Sequence, residues 1–347
     1  GDGFELNYKS AIGVAKETTF GTKATSTAFV EFLSEGFKRN ITPLVIPAIN
    51  SQRAKFKRVL TTEDVDGSLD MYLDVASDGV INIIKQCMGG TVQSTLITTG
   101  ASTHVINEGD MESNANTSTA SSMKGLTFQV RKGGSHVWDF LGCRVDSLSI
   151  KAENGQPVMM TAQIAGKAGS ISTALSTTIT YTDTLPLMFH HVTIVNADSV
   201  GALAASGTAE TFQTFELTIN NNLAKDQRQL GTRTRSAIPP GGLDVSLKLT
   251  QRWDTSTAYD RYIAETPLAW AIRIVGGAGY TIGSAGGYTT LSMLINLPRV
   301  YYDPNMPVVG GRDGILNNEI SLVCLRENTT ASYAVKFTVN NATVSYP

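Results

Sequence analysis

The sequence predicts an all-β fold with two short helices, arranged as two related halves. Three observations support this prediction. Apolar and polar residues alternate in many short runs, the charged share is only 17% while Ser, Thr, Asn and Gly are abundant, and one pattern of strand and helix occurs twice. A chain of 347 residues is long enough for about two domains of ordinary size, each with its own core.

The alternating runs predict the strands. In residues 65–75 every apolar residue except Tyr72 occupies an odd position, while Asp and Ser occupy even ones, as a strand with one buried face requires. Between two of the runs, Asn154-Gly155 predicts a tight hairpin turn. Similar runs occupy residues 126–132, 144–152, 157–166, 213–220, 243–253, 289–297, 319–327 and 334–344.

Two segments have the apolar spacing of a helix. "SDGVINIIKQCM" (77–88) begins with residues that commonly cap helices and places Val80, Ile81 and Ile84 on one side. "STAYDRYIAE" (256–265) repeats this arrangement with aromatic residues. Each helix directly follows an alternating strand.

The strand and helix of the first half recur 178 residues later, so that Asp66 aligns with Asp244 and Leu69 with Leu247 without a gap. This internal repeat predicts two related units in tandem, with one short helix in each. The predicted division is a first unit with an N-terminal extension at 1–170, a linker or exposed loop at 171–210, and a second unit at 211–347.

The carboxylates of "EDVDGSLDMYLDV" (63–75) are spaced somewhat like those of a calcium-binding loop. An EF-type loop needs Gly at its sixth position and a bidentate Glu at its twelfth. Counted from Asp64, the glycine is fourth and Val75 is twelfth, and the second copy has Lys248 where the first has Asp70. The repeated feature is therefore the apolar face of a strand, and we expect no metal site.

No catalytic or cofactor motif stands out elsewhere. The glycines of "GGAGYTIGSAGGY" (276–288) lack phosphate-binding spacing and predict a hairpin loop, although paired carboxylates for glycoside hydrolysis stay open. We expect a protein that is not an enzyme and that has no cofactor, with structural histidines and buried free thiols. These are His104, His136, His190 and His191, and Cys87, Cys143 and Cys324.

The charge and hydropathy of the chain exclude several classes of function. Its formal charge of −2 and pI near 6.1 offer no excess of cations for tight binding to DNA. No run of 18 apolar residues predicts a membrane span, and "GDGFELNYKSA" lacks the basic and apolar regions of a secretory signal. We therefore expect neither membrane insertion nor secretion.

Several phrases resemble, in order, the major tail tube proteins of long-tailed, siphovirus-type bacteriophages. "YKSAIGVAKETTFGTKATSTAFVEFLSEGFK" is similar to the opening of those proteins, and "TTEDVDGSLDMYLDV", "THVINEGD", "FELTINNNLAKDQRQLG" and "LSMLINLPRV" follow in the same order. The resemblance covers about residues 8–328 and leaves out the first residues and the tail "ASYAVKFTVNNATVSYP".

This resemblance implies two β-sandwich or barrel units of the tail-tube kind, whose strands join edge to edge in stacked rings around a pore. Because single-unit tail tube proteins are about half as long, three copies would make a pseudo-sixfold ring; hexameric rings of the whole chain are the alternative. The implied partners are other copies, the tape-measure protein in the lumen, the tail terminator and distal tail proteins at the ends, and phage DNA in transient, non-specific passage. The protein would be assembled in the host bacterial cytoplasm and reside in the virion tail.

Two sets of polar residues are expected to have roles in the tube, one in lining the lumen and the other in contacts between copies. The polar side of the two repeated strands would face the lumen, with a solvated outer wall as the alternative, and a basic segment in each half would contact other rings or subunits. The lumen set is Asp66, Ser68, Asp70, Asp74, Asp244, Ser246, Lys248 and Arg252. The basic set is Arg53, Lys55, Lys57 and Arg58 in the first half, and Lys225, Arg228, Arg233 and Arg235 in the second.

Two rival functions remain at this stage. A cell-surface β-sandwich module, such as an adhesin or a carbohydrate-binding protein, would need a secretion signal and an aromatic platform, and aromatic residues make up only 7% of the chain. The second rival is the tube of a contractile injection system or of a gene-transfer particle. It would have the same architecture but a different biological role.

Overall fold

The structure is a computed structural model that describes residues 5–49, 51, 53–55, 57–109, 124–134, 136–253, 255–277, 279–284, 287–303, 306, 309, 315–328 and 332–346. Of the described residues, 53% lie in strands and 9% in helices, which confirms the all-β prediction. Nineteen of the strands connect into one hydrogen-bonded network. The remaining two strands form the hairpin predicted for the glycine-rich segment.

Among the described residues, the first half contains eleven strands and one α-helix. They are β1 (Ala11–Glu17), β2 (Ala28–Val30), β3 (Ser34–Glu35), β4 (Lys38–Ile46), β5 (Lys57–Tyr72), α1 (Asp78–Met88), β6 (Gly89–Thr98), β7 (Ala101–Glu108), β8 (Gly125–Lys132), β9 (His136–Glu153), β10 (Met159–Gly166) and β11 (Ala168–Ser172).

The described part of the second half contains ten strands and two α-helices. They are β12 (Val192–Ala197), α2 (Ala202–Ser206), β13 (Thr208–Glu210), β14 (Thr214–Asn220), β15 (Asp244–Arg252), α3 (Thr257–Ile263), β16 (Leu268–Val275), β17 (Thr281–Ser284), β18 (Gly287–Thr290), β19 (Ser292–Tyr302), β20 (Asn317–Leu325) and β21 (Lys336–Asn341).

The strands of the two halves pair in the same order. In the first half β2, β1, β8, β9, β10 and β5 are consecutive neighbours, with β3 and β4 on the far edge of β5. In the second half β13, β12, β16, β19, β20, β15 and β14 follow the same sequence. The first part of β9 also pairs with β11, and in the same way the first part of β19 pairs with β21. This agreement supports the proposed tandem units.

The core lies between two layers that β9 connects, since its first part pairs with β8 and its second part with β10. Phe37 packs between the layers, with its ring 4.9 Å from that of Phe128 and 5.2 Å from that of Phe140. A Cβ on Gly67 of β5 would lie 2.6 Å from the Phe37 ring, so this glycine makes room for the core. Buried residues from both halves belong to one continuous cluster.

The predicted helices are confirmed, but they differ in burial. Helix α1 buries Val80, Ile81 and Ile84 in the core and ends at Gly89, whose positive φ of 65° suits a C-cap glycine. Helix α3 has no fully buried residue. Helix α2 is a third short helix beyond the predicted one per repeat.

Residues 171–210, predicted as a linker or exposed loop, contain regular structure in their second part. Strands β12 and β13 pair with each other, and β12 also pairs with β16. Val195 and Leu203 are buried there against Ala269 and Ala271. The sequence of the segment resembles a linker because Thr, Ala and Ser are its commonest small residues, yet small side chains also allow close packing of an edge strand.

Candidate functional surfaces

The side of the sheet opposite the core is a continuous polar surface that crosses both halves, here called the polar face. One row of neighbouring residues shows its composition: Asp70 lies beside Thr161, Thr161 beside Ser149, Ser149 beside Thr218, and Thr218 beside Ser246. The alternate residues of these strands point into the core. Strict alternation across five strands therefore produces one polar wall.

Seven of the eight residues predicted to line a lumen lie on strands at this face, and the side chains of the aspartates on β5 bond to other parts of the face. Asp70 accepts hydrogen bonds from Ser34 Oγ (2.6 Å) and Thr161 Oγ1 (2.8 Å). Asp66 accepts one from Asn40 Nδ2 (3.0 Å). The seven are Asp66, Ser68, Asp70, Asp244, Ser246, Lys248 and Arg252.

Asp74 lies beyond the end of β5 and has a different environment. Its carboxylate accepts hydrogen bonds from Thr182 Oγ1 (2.8 Å), Thr184 Oγ1 (3.0 Å) and the Ala76 backbone N–H (2.9 Å). These contacts hold the segment before β12 against the first half. The sequence could not show this, because the partners of Asp74 are far away in the chain.

The two halves join on the polar face, where β9 of the first half pairs with β14 of the second. The strands are antiparallel, with Ser147 opposite Asn220 and Ser149 opposite Thr218. On the core side of this junction, Ala152 and Phe215 lie opposite each other and are 5% and 2% exposed. The junction thus combines a hydrogen-bond ladder with buried apolar pairs.

The connection between β14 and β15, residues 221–243, folds over the first half and is here called the second-half loop. Asn221 Nδ2 donates to the backbone oxygens of Cys87 (3.0 Å) and Val145 (2.9 Å). Ile238, 1% exposed, packs with Ala165 of β10. The second-half loop thus stabilises the β9–β14 junction by packing against the first half.

Three of the four predicted basic residues in the second-half loop are bound within the chain. Arg228 lies 2.6 Å from the Asp64 carboxylate and Lys225 lies 2.6 Å from that of Asp146. Arg235 is 4% exposed and donates to the backbone oxygens of Val65 (3.0 Å) and Gly166 (2.9 Å). The fourth, Arg233, has an exposed side chain and a backbone oxygen that accepts from the Glu63 N–H (2.9 Å).

The first-half counterpart of this loop is the two-stranded ribbon of β4 and β5, here called the first-half ribbon. The side chains of Arg53, Lys55, Lys57 and Arg58 are all exposed at its tip. The apolar residues on its outer part are exposed as well. They are Leu44 (53%), Val45 (46%), Val59 (51%) and Leu60 (43%).

One ion pair lies at the base of the ribbon. Arg39 donates to both carboxylate oxygens of Glu63, at 2.8 and 3.0 Å. These bonds to Arg39 are the main reason that the pKa of Glu63 is lowered from its ordinary value. Glu63 also holds the second-half loop through its backbone N–H, so this pair lies next to the junction.

A second contact between the halves involves the C-terminal strand, which pairs with β7. The imidazole of His104 is buried and lies 3.0 Å from Asn341 Oδ1 and from the Thr343 oxygen. The hydroxyl of Tyr346 donates to Asp78 at 2.9 Å. The final residues, which lay outside the sequence resemblance, thus close the core around α1.

The described part of the chain offers no metal-binding cluster and no reactive thiol. It contains no group of three or more His, Cys, Asp and Glu side chains placed to hold a metal ion. Burial raises the pKa of Cys87 and of Cys324 to about 12 and that of Cys143 as well, so these free thiols are poor nucleophiles. Among the described helices, none has the length and hydrophobicity needed to cross a membrane.

Comparison with known proteins identifies the chain at the family level. Residues 7–339 match a family described as phage tail tube protein. No curated protein matches the chain. Because the match covers nearly the whole length, the chain belongs to the phage tail tube protein family, and it is a structural protein of the virion tail that assembles with itself into a tube.

Proposed function

We propose that this member of the phage tail tube protein family forms rings of three copies, which stack into the tube of a long-tailed phage. The observation that supports a ring of three is the matching strand order of the two halves, which the β9–β14 junction joins into one sheet. Three such chains supply six equivalent units. Rings of six whole chains are the alternative.

In this proposal the polar face lines the lumen. Its Ser, Thr, Asn and Asp side chains bond to one another across strands, as Ser34, Asp70 and Thr161 do. A wall with few free cations lets DNA pass, because each additional phosphate contact would raise affinity and slow transit. The lining residues would be Asp66, Ser68, Asp70, Asp244, Ser246, Lys248 and Arg252, with Asp74 at the margin.

The remaining partners follow from this position in the tail. The tape-measure protein would occupy the lumen before DNA does, and the tail terminator and distal tail proteins would bind the two ends of the tube. Assembly would take place in the host bacterial cytoplasm. The basic tip of the first-half ribbon would contact a neighbouring ring or subunit.

Negative-stain microscopy of the purified protein tests this proposal, and native mass spectrometry of the rings gives the number of chains. We expect tubes or stacked rings built from three chains each. Rings of six chains would contradict the trimer and keep the tube, whereas monodisperse monomers under all assembly conditions would contradict both. A cryo-EM map with Asp70 and Ser246 on the outer wall would contradict the assignment of the lumen.

A further inference from the structure

Each half contains a cavity beside the start of a helix. The first-half cavity lies between α1 and the β2–β3 connection, has Phe29 and Asp74 in its wall, and has a volume of about 100 Å³. The second-half cavity lies between α3 and the β13–β14 connection, has Thr211 and Arg252 in its wall, and has a volume of about 670 Å³. Ligand pockets commonly have volumes of about 300–1,000 Å³, so only the second-half cavity has the size of a binding site.

The register of the strands shows that the two cavities are equivalent. Asp70 of β5 corresponds to Lys248 of β15, 178 residues later, and their partners Ser34 and Glu216 then correspond 182 residues apart. These two spacings assign a second-half counterpart to each first-half residue around the cavity. Five of the six first-half wall residues have counterparts in the wall of the second-half cavity: Thr211 for Phe29, Gln213 for Glu31, Arg252 for Asp74, Thr255 for Ser77, and Ala258 for Val80.

The first-half cavity is small because a later segment of the chain covers it. Thr182 Oγ1 and Thr184 Oγ1 donate hydrogen bonds to the Asp74 carboxylate at 2.8 and 3.0 Å. The two threonines are two residues apart and therefore lie on one side of an extended segment, residues 181–186, here called the covering segment. All four of its residues that line the cavity lie over the first half, and Phe29 beneath them is only 5% exposed.

The segment that would cover the second-half cavity takes another course. Strands β11 and β21 occupy equivalent positions, and the covering segment follows β11. After β21 the chain instead runs to α1, where Thr343 Oγ1 donates to Asp78 at 2.7 Å. Every described residue that lines the second-half cavity belongs to the second half itself. This cavity therefore has no covering segment among the described residues, and Thr211, the counterpart of Phe29, is exposed.

The charge at the cavity is reversed between the two halves. Arg252 occupies the place of Asp74, its side chain is exposed, and no carboxylate of the described residues forms an ion pair with it. The one carboxylate in the described wall, that of Glu210, accepts a hydrogen bond from Asn196 Nδ2. The other polar wall residues are Thr and Gln, whose hydroxyl and amide groups can bond to a peptide backbone. A guanidinium in this setting is best matched by a carboxylate, which it can bind through two hydrogen bonds.

We propose that the second-half cavity binds an extended acidic segment of a second protein, in the way that the first-half cavity binds the covering segment. Carboxylates replace the hydroxyls of Thr182 and Thr184, and Arg252 replaces Asp74. The first-half cavity supplies the precedent for an extended segment, and the exchange of Asp74 for Arg252 supplies the charge. No described residue after Pro186 lines the first-half cavity, so the equivalent site is complete within one half. The proposal therefore goes beyond the tube itself and does not depend on the number of copies in a ring.

Two fluorescent peptides test the site, with the fluorescence anisotropy of each peptide measured against the purified protein. One peptide has the sequence of residues 179–187 with Thr182→Glu and Thr184→Glu, and the other keeps both threonines. We expect the acidic peptide to bind about tenfold more tightly, because hydrogen bonds between a guanidinium and carboxylates are roughly twice as strong as neutral ones. Arg252→Asp gives the second-half cavity the charge of the first, and this variant should prefer the unaltered peptide.

A matched control separates the site from the overall charge of the protein. Arg233→Asp makes the same charge change at an exposed side chain outside the cavity and should leave the preference for the acidic peptide unchanged. Arg252→Gln, which removes the charge without adding a carboxylate, should abolish the preference, and it replaces Arg252→Asp should that variant fold poorly. Failure of the acidic peptide to bind, or tighter binding of the unaltered peptide to the original chain, would overturn the proposal. Equal losses in the Arg252 and Arg233 variants would also overturn it, because they would show attraction to net charge alone.

Discussion

The first-half ribbon and the second-half loop occupy the same place in the connectivity of the two halves, yet they behave in opposite ways. The loop lies on the first half of its own chain, where Arg228 and Arg235 meet Asp64 and backbone carbonyls. The ribbon extends outward as two paired strands, and its basic and apolar side chains are exposed. The contact surface of the second-half loop lies against its own chain, whereas that of the first-half ribbon is exposed.

This difference shows how a tandem repeat divides its interfaces. If both segments serve the same kind of contact, the second-half loop makes it internally and the first-half ribbon makes it with the next copy. A two-stranded ribbon with exposed apolar residues is only marginally stable in water without a surface to pack on. The comparison predicts that damage to the loop reduces folding stability, whereas damage to the ribbon reduces assembly.

The largest effect is expected from removing the charge at the tip of the ribbon. Replacing Arg53, Lys55, Lys57 and Arg58 by Ser should leave a folded monomer that polymerises poorly, as seen by sedimentation and negative-stain microscopy. Exposed ion pairs contribute only about 0–1 kcal/mol each, so the four are replaced together. Normal tubes from this variant would show that the ribbon cations take no part in assembly.

Arg235→Ala should be the most damaging single change to the stability of the chain. Removing this buried guanidinium leaves the carbonyls of Val65 and Gly166 without their donor, and the free energy of unfolding should fall by about 3 kcal/mol. Arg233→Ala, on the exposed side chain of the same loop, is the matched control and should change it by less than about 0.5 kcal/mol. Urea denaturation measures both, and equal effects would contradict the comparison.

Ile238→Ala tests the apolar part of the same contact. Ile238 is 1% exposed against Ala165, and truncating a buried Ile costs about 2 kcal/mol or more. Val45→Ala on the exposed ribbon should leave the unfolding of the monomer nearly unchanged and raise the protein concentration needed for tubes. A stability loss for Val45→Ala as large as that for Ile238→Ala would show that the ribbon already packs within the monomer.

The sequence predicted many of the strands with one buried face, because alternation is then strict, although β7, whose burial also alternates, was not among them. In β5 and β15, for example, Leu69 and Leu247 fall on the core side as expected. It missed β12, where Ile194 and Val195 are both buried and the alternation is lost. It also missed the ribbon strands, whose outer parts are exposed on both faces and so have no pattern to detect.

The candidate surfaces were only partly predictable for a similar reason. Polar alternation placed seven of the eight residues of the predicted lumen set on one face, since register follows from burial. The partners of the second basic segment, Asp64 and Asp146, could not be inferred, because ion pairs between distant segments leave no local signal. These ion pairs become apparent only in the folded chain, where the pairing of β14 with β9 brings the second-half loop over the first half.

The smallest expected effect concerns the ion pair between Arg39 and Glu63 at the base of the ribbon. The pKa of Glu63 in the folded chain lies below its ordinary value of 4.5, chiefly because of the hydrogen bonds from Arg39. The folded state therefore binds this proton less readily than the unfolded state, so the stabilisation is complete above pH 4.5 and is lost as the pH falls through the lower folded value. Glu63→Gln should remove this acid-dependent part, about 1 kcal/mol in unfolding free energy. Asp226→Asn, at an almost fully exposed carboxylate, is the control, and an unchanged pH profile for Glu63→Gln would show that the pair adds nothing to the junction.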